Sequence, residues 1–207
     1  MAVYIALEGP DGVGKSTVAA ALKGLLQRRT PHSTVRIRHF PTDALVQCAD
    51  NEGYRLRAED YARDMENWLS FRPEPVLFPE TPEAHTEPDT LYILDRWALS
   101  TAVYASLRNE GIPENVALTL NWLNRVPLTT FVLMPCEPTE LTDPDFPGPD
   151  PYNPVPVAEA YRKFLTNAFV AGEMSRFTPI VVDPPVDTPD SVAAEIAEWT
   201  TGLQRGM

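Results

Sequence analysis

The sequence predicts an α/β fold in which a five-stranded parallel sheet carries helices on both faces, built over residues 1–207 as one domain. Three observations predict it. Short, almost wholly apolar runs recur along the chain, and such runs fit strands buried on both faces. Segments with helical spacing stand between them, the order expected of a covered parallel sheet. A glycine-containing stretch, "EGPDGVGKST" from Glu8 to Thr17, lies between the first apolar run and the first helix. The ligand edge of such a sheet is at the carboxyl ends of its strands.

The elements follow in order. "AVYIAL" is the first strand, and "STVAAALKGLLQRR" the first helix, with Val18, Leu22, Leu25 and Leu26 on one side and basic residues at its end. "STVRIRHF" alternates Val35, Ile37 and His39 against Arg36, Arg38 and Phe40, a second strand stopped by Pro41. Residues 43–72 are expected to be mostly helical, most strongly over "AEDYARDMENWLSF". "PEPVLFPETPEAHTEPDT" reads as a surface loop or short helix. "LYILD" is the third strand, and "SLRNEGIPENVALTLNWLNR" supplies more helix. "TTFVLM" is the fourth strand. Eight prolines between Pro135 and Pro156 exclude a long helix or central strand there. "VAEAYRKFLTNAFVAGEM" resumes as helix, "TPIVVD" is the fifth strand, and "DSVAAEIAEWTTGL" closes as a helix capped by Asp190 or Ser191.

Composition bounds the function. Of 207 residues 43% are hydrophobic, enough for one sizeable core. The formal net charge of −12 argues against binding bulk nucleic acid unless a local basic patch overrides it, and leaves small anions open. Cys48 and Cys136 lie far apart and lack metal-ligand spacing, so free thiols in a reducing cytosol are expected. The start of the chain has no basic segment ahead of an apolar one and reads as a strand rather than a signal peptide. No apolar run approaches membrane-spanning length, so a cytoplasmic, soluble protein is expected.

"GPDGVGKS", Gly9 to Ser16, matches G-x-x-x-x-G-K-[ST] in full. Gly9, Gly12 and Gly14 let backbone N–H groups, with those of Val13 and Thr17, turn around an anion. The helix starting near Lys15 adds its positive end. Lys15 reaches the β- and γ-phosphates and Ser16 offers a hydroxyl to Mg²⁺. This predicts ATP or GTP as the bound nucleotide and leaves the reaction open.

Two further clusters suit a second nucleotide. In "LDRWALSTAVYAS" an aspartate and an arginine end the third strand. Asp95 is placed to hold Mg²⁺ through water and Arg96 to fork onto a phosphate; a structural ion pair at a strand end is the plainer alternative. Trp68 and Arg72, four apart, share a helix face. They suit a base and a phosphate, or a core tryptophan beside a solvated arginine.

These motifs together resemble the thymidylate kinase family, within the P-loop nucleoside monophosphate kinases. The resemblance rests on "EGPDGVGKST", on "FP" after the second strand, on the aromatic-x-x-x-Arg of "WLSFR", and on "LDRWALSTAVY". It implies a P-loop kinase fold, ATP and Mg²⁺ as cofactors, a small-molecule nucleotide substrate and a homodimer. It implies that Asp11 sits between the sugar 3′-hydroxyl, the metal shell and the acceptor phosphate. Phe40 and Pro41 would border the acceptor, Trp68 would stack on the pyrimidine, and Arg72 would contact base or phosphate. Arg96 would hold the acceptor phosphate. Tyr104 would press where a 2′-hydroxyl would lie, and Thr101 would approach the base edge.

The chain departs from that family in one respect. Some members of the family carry an arginine for the transferring phosphoryl group in the loop directly after the aspartate, where this chain has Gly12, and others carry it in a lid after the fourth strand, but the lid-like segment here, at about 135–156, has no Lys or Arg. The whole span from Val126 to Tyr161 lacks one and carries Asp143, Asp145 and Asp150. Arg162 and Lys163, just past it, are the nearest substitutes for the charge that phosphoryl transfer needs. The expected reaction is phosphorylation of a deoxynucleoside monophosphate, dTMP to dTDP first. The alternatives are a kinase for a modified pyrimidine, such as a 5-hydroxymethyl base free or in DNA, and a nucleotide-binding relative without catalysis.

Overall fold

The computed structural model describes residues 3–30, 34–40, 43–53, 56–57, 59–61, 63–64, 90–108, 128–136, 154–170, 177–183 and 186–204. Strands and helices alternate. The strands are β1 (Val3–Glu8), β2 (Thr34–His39), β3 (Thr90–Asp95), β4 (Leu128–Pro135) and β5 (Phe177–Val182). The helices are α1 (Lys15–Arg29), α2 (Asp43–Glu52), α3 (Ala98–Leu107), α4 (Pro154–Val170) and α5 (Pro189–Gln204). The strands form one sheet in the order β2-β3-β1-β4-β5, every neighbouring pair parallel. The five-stranded parallel sheet expected from the apolar runs is therefore present.

The pleat sends alternate residues to opposite faces. On one side Ile5, Leu7, Ile93, Phe131 and Leu133 pack with Leu22 and Leu26 of α1 and Ile196 of α5. On the other, Val132 and Met134 meet Leu99 and Val103 of α3 and Val157 and Tyr161 of α4. Each large side chain so buried contributes roughly 1.5–3 kcal/mol. Among the described residues both faces are covered, and β1 and β3 deliver Glu8 and Asp95 to the carboxyl edge of the sheet.

Several boundaries differ from expectation for local reasons. Within the segment expected to be helical over 43–72, α2 stops at Glu52. Gly53 follows at φ 66°, a conformation glycine tolerates and other residues resist. Helix returns at residues 59–61 and 63–64. The helix after the third strand begins at Ala98, earlier than "SLRNEG" suggests. Helix α4 begins at Pro154, so the last three residues of the proline-rich segment are already helical; proline is tolerated in a first turn because its missing N–H would have no partner there. Pro135 belongs to β4. The cap of α5 is Thr188, not Asp190 or Ser191: its Oγ1 accepts the Ser191 N–H at 3.2 Å, and Pro189 takes the first helical position. Cys48 and Cys136 are free and exposed. Among the described residues no helix is long and apolar enough to cross a membrane.

Candidate active site

The loop between β1 and α1 takes the shape its glycines permit. Gly9, Gly12 and Gly14 have φ of 139°, 78° and 87°. At Gly9 a Cβ would overlap the Leu133 carbonyl of β4, so only glycine lets the loop leave the sheet there. Gly14 is the left-handed N-cap of α1, and the Val18 N–H donates to its carbonyl at 2.9 Å. Val13 is buried in the core and anchors the loop; Ser16 and Thr17 are exposed at the start of the helix. Lys15 is 5% exposed, and its Nζ donates to the Pro10 carbonyl at 2.7 Å. The ammonium is thus held over the loop, where an incoming phosphate would meet it.

The end of β3 stands beside the loop. The Ser16 hydroxyl donates to Asp95 Oδ2 at 2.6 Å, and His39 Nδ1 lies 2.9 Å from the same oxygen. Asp95 Oδ1 is buried without a hydrogen-bond partner. A buried carboxylate oxygen left unpaired is costly, and a hard cation would satisfy it. A serine hydroxyl and an aspartate side by side are oxygen donors of the kind Mg²⁺ takes.

Arg96 pairs with Asp11, not with its neighbour Asp95 as a strand-end ion pair would have it. It is a non-glycine residue at φ 68°, a conformation that costs about 1–2 kcal/mol. Its N–H donates to the Leu7 carbonyl at 3.0 Å, which fixes the turn. From there the guanidinium lies 5.5 Å from the centre of the Tyr104 ring, and the Tyr104 hydroxyl donates to Asp11 Oδ2 at 2.6 Å. Asp11 also lies 4.0 Å from Lys15 Nζ. One carboxylate thus joins the loop lysine to the arginine and tyrosine of the neighbouring element. Burial works against the Arg96 charge, while Tyr104, Tyr161 and Glu8 around it favour the charge and carry its pKa upward.

A cavity of about 220 Å³ opens beside this cluster. Asp11 and Arg96 lie at one end of its lining, and α3 runs along it through Ser100, Thr101, Tyr104 and Ala105 to Arg108. These residues recur at intervals of three and four and share one helix face. Phe40, buried and edge-on to Trp97 at 5.1 Å, closes one wall. Thr101 is buried within the lining. From Trp97 to Arg108 the helix advances about 16 Å, so the lining runs from the Arg96 guanidinium to a far end at Arg108. There Arg108 donates to the Leu56 carbonyl at 3.0 Å and sits 5.9 Å from the Tyr61 ring centre.

Beneath Arg96 lies Glu8, wholly buried. Its Oε1 accepts the Leu99 N–H at 3.0 Å, and its Oε2 accepts the Ser100 N–H at 3.1 Å and the Ser100 hydroxyl. Burial pushes its carboxyl up to about 7, although hydrogen bonds from Ser100, Trp97 and Leu99 pull the other way. Ser100 Oγ is 2.8 Å from the Tyr161 hydroxyl of α4, whose own pKa burial raises well above the ordinary value, keeping it protonated. Arg162 and Lys163 follow Tyr161 and are exposed.

The structure thus assembles Asp11, Lys15, Ser16, Phe40, Asp95, Arg96, Thr101 and Tyr104 at one edge of the sheet. Pro41, Trp68, Arg72 and most of the lid-like segment lie outside the described residues. Sequence reasoning missed Glu8, Tyr61, Ser100 and Arg108 as parts of this site. Arg108 was within reach of a helical-periodicity argument, since it stands four after Tyr104 and seven after Thr101. Glu8 is the one charged residue of β1, at the end of its apolar run.

No protein-family model matches the chain, and no curated protein matches it. Solved structures do. A thymidylate kinase from Candida albicans, described as having broad substrate specificity, superposes with a TM-score of 0.62 at 18% identity, over 98% of this chain and 92% of that one. A thymidylate kinase from Ehrlichia chaffeensis gives 0.59 at 18% identity, over 96% and 98%. The chain shares its fold with these two structures along nearly its whole length.

Proposed function

We propose that the protein is an ATP-dependent nucleoside monophosphate kinase whose acceptor is a pyrimidine deoxynucleotide, with dTMP the first candidate. The observation that carries this reading is the Asp11–Arg96–Tyr104 cluster, which joins the phosphate loop to the mouth of the α3 cavity. Lys15 and the loop N–H groups bind the β- and γ-phosphates of ATP. Arg96 exchanges its contact with Asp11 for the acceptor phosphate. Asp11, so released, orients the sugar or the attacking oxygen. That oxygen forms a bond to the γ-phosphorus as the bond to the β-bridging oxygen breaks, and ADP leaves. Ser16 and Asp95 would hold Mg²⁺, which neutralises phosphate charge when bound. Positioning and charge account for the catalysis, and no residue becomes phosphorylated. Tyr104, fixed by its bond to Asp11, favours a sugar without a 2′-hydroxyl.

A panel of nucleoside monophosphates with ATP–Mg²⁺, read by phosphate transfer, tests the reading; it includes dTMP, its ribo counterpart and a 5-hydroxymethyl pyrimidine nucleotide. Transfer to a pyrimidine deoxynucleotide is expected, and binding of ATP with no turnover on any acceptor would favour the non-catalytic alternative. In the same assay Arg96→Ala is expected to raise the acceptor KM by about ten- to a hundredfold, the loss of a charge-assisted contact, with ATP affinity kept. Loss of ATP affinity instead would put Arg96 on the donor side.

Gly12 and the span from Val126 to Tyr161, which has no Lys or Arg, leave the transferring phosphoryl group short of a cation. Arg162 and Lys163, exposed on α4 beside Tyr161, are the nearest replacements. Single-turnover transfer is expected to fall by about a hundredfold or more in Arg162→Ala or Lys163→Ala. Full rates in both variants would leave Lys15, Arg96 and Mg²⁺ as the charges that carry transfer.

A further inference from the structure

We propose that Glu8 is a positioning residue for acceptor binding: it acts through the first turn of α3 to fix Arg96, and Ser100 and Tyr161 extend the same line of hydrogen bonds into α4. The inference rests on the acceptor reading given above. A helix begins with N–H groups that have no partner within it, and a side chain at the N-cap usually satisfies one of them. In α3 the N-cap is Trp97, which makes no such bond. Glu8 supplies the cap from another strand, 91 and 92 residues away in sequence, by accepting from the Leu99 and Ser100 N–H groups. Arg96 is caught between two anchors, its own N–H on the Leu7 carbonyl and the capped turn that follows. Both anchors come from the end of β1. They hold a left-handed residue in the one conformation that sends its guanidinium over Tyr104 to Asp11.

The chemistry asks for a carboxyl group. Two backbone donors, one on each oxygen, need two acceptor atoms. Glutamine offers one, and turns its NH₂ on the second donor. Aspartate is one methylene short. On the far side, Ser100 Oγ meets the hydroxyl of Tyr161, which is itself fully buried. The turn that carries Arg96 is thereby tied to α4, the helix that bears Arg162 and Lys163.

A double-mutant cycle tests this, with dTMP as the probe and its affinity measured by titration alongside that of a non-hydrolysable ATP analogue. Glu8→Gln and Arg96→Ala are each expected to weaken dTMP by about ten- to a hundredfold with ATP-analogue affinity kept. Combined, they are expected to weaken it no further than Arg96→Ala alone, because one acts through the other. General destabilisation would lower both affinities and add to the Arg96 effect, and that outcome overturns the proposal. Ser100→Ala, which removes the hydroxyl but keeps the capped N–H, should give a smaller loss of the same kind and serves if Glu8→Gln does not fold. An additive Ser100→Ala would overturn the proposal equally. If Arg96→Ala itself left dTMP affinity unchanged, the acceptor reading would fall and this inference with it; an Arg96 effect with additive Glu8 or Ser100 effects sinks the inference alone.

Discussion

Lys15→Ala is expected to reduce phosphoryl transfer by about a hundred- to a thousandfold or more while leaving the fold in place. The lysine is nearly buried and its ammonium faces the Pro10 carbonyl and Asp11, so its charge is held at the loop and not spent on the core. Helix α1 is kept by Val18, Leu22 and Leu26, which pack on the sheet independently of Lys15. Among its contacts the substitution removes a charge-assisted hydrogen bond to the Pro10 carbonyl, of a kind worth about 1.5–3 kcal/mol, and the Asp11 ion pair, a loss within the stability of a structure of this size. Transfer assays beside far-UV circular dichroism and a thermal melt separate the two effects. A folded variant with wild-type turnover would remove the phosphate-loop reading. An unfolded one would mean that the lysine's contact with Pro10 is structural.

The parts of the fold that local chemistry governs were legible in the sequence. Apolar runs such as "LYILD" gave away β3 because its residues are buried on both faces, and that demand leaves no room for polar alternation. The loop was legible because its glycines must adopt positive φ whatever surrounds them. Ends of elements were less so. Thr188 outcompetes Asp190 and Ser191 as a cap because Pro189 fits the first helical position, a choice between neighbours that composition alone does not make. Least legible were contacts between residues far apart. Asp11 was assigned to the acceptor side by resemblance, but its pairing with Arg96, 85 positions later, follows from the register of β1 on β3, where Leu7 faces Asp95. In sequence Glu8 only opens the glycine-containing stretch; its role depends on which helix the sheet order brings over the end of β1.

Stability is expected to fall as pH rises from about 4.5 to about 7, by an amount that Glu8 sets. Its carboxyl has an ordinary value of 4.5 in the unfolded chain, and burial lifts it to about 7 in the fold. Between those values the native state holds a proton that the unfolded state has released, so raising pH favours unfolding. The contribution is fully present below 4.5 and is gone above 7. The span corresponds to about 3 kcal/mol. Arg96 and Tyr161 face the group, the first as a cation that favours its ionised form and the second as a neutral hydroxyl at the end of the Ser100 bridge. Protonated, the carboxyl still accepts the Leu99 N–H on one oxygen, and its O–H can turn to Ser100 Oγ, so the cap survives in both states. Glu8→Gln cannot titrate. Other carboxylates and histidines change stability over the same range, but equally in both proteins. Denaturant unfolding at pH 5 and pH 8 should therefore show the gap between wild type and Glu8→Gln shrinking by about 2.5 kcal/mol as pH rises. A gap that stays constant would mean that Glu8 keeps an ordinary carboxyl pKa, and that water or a cation reaches it at the end of β1.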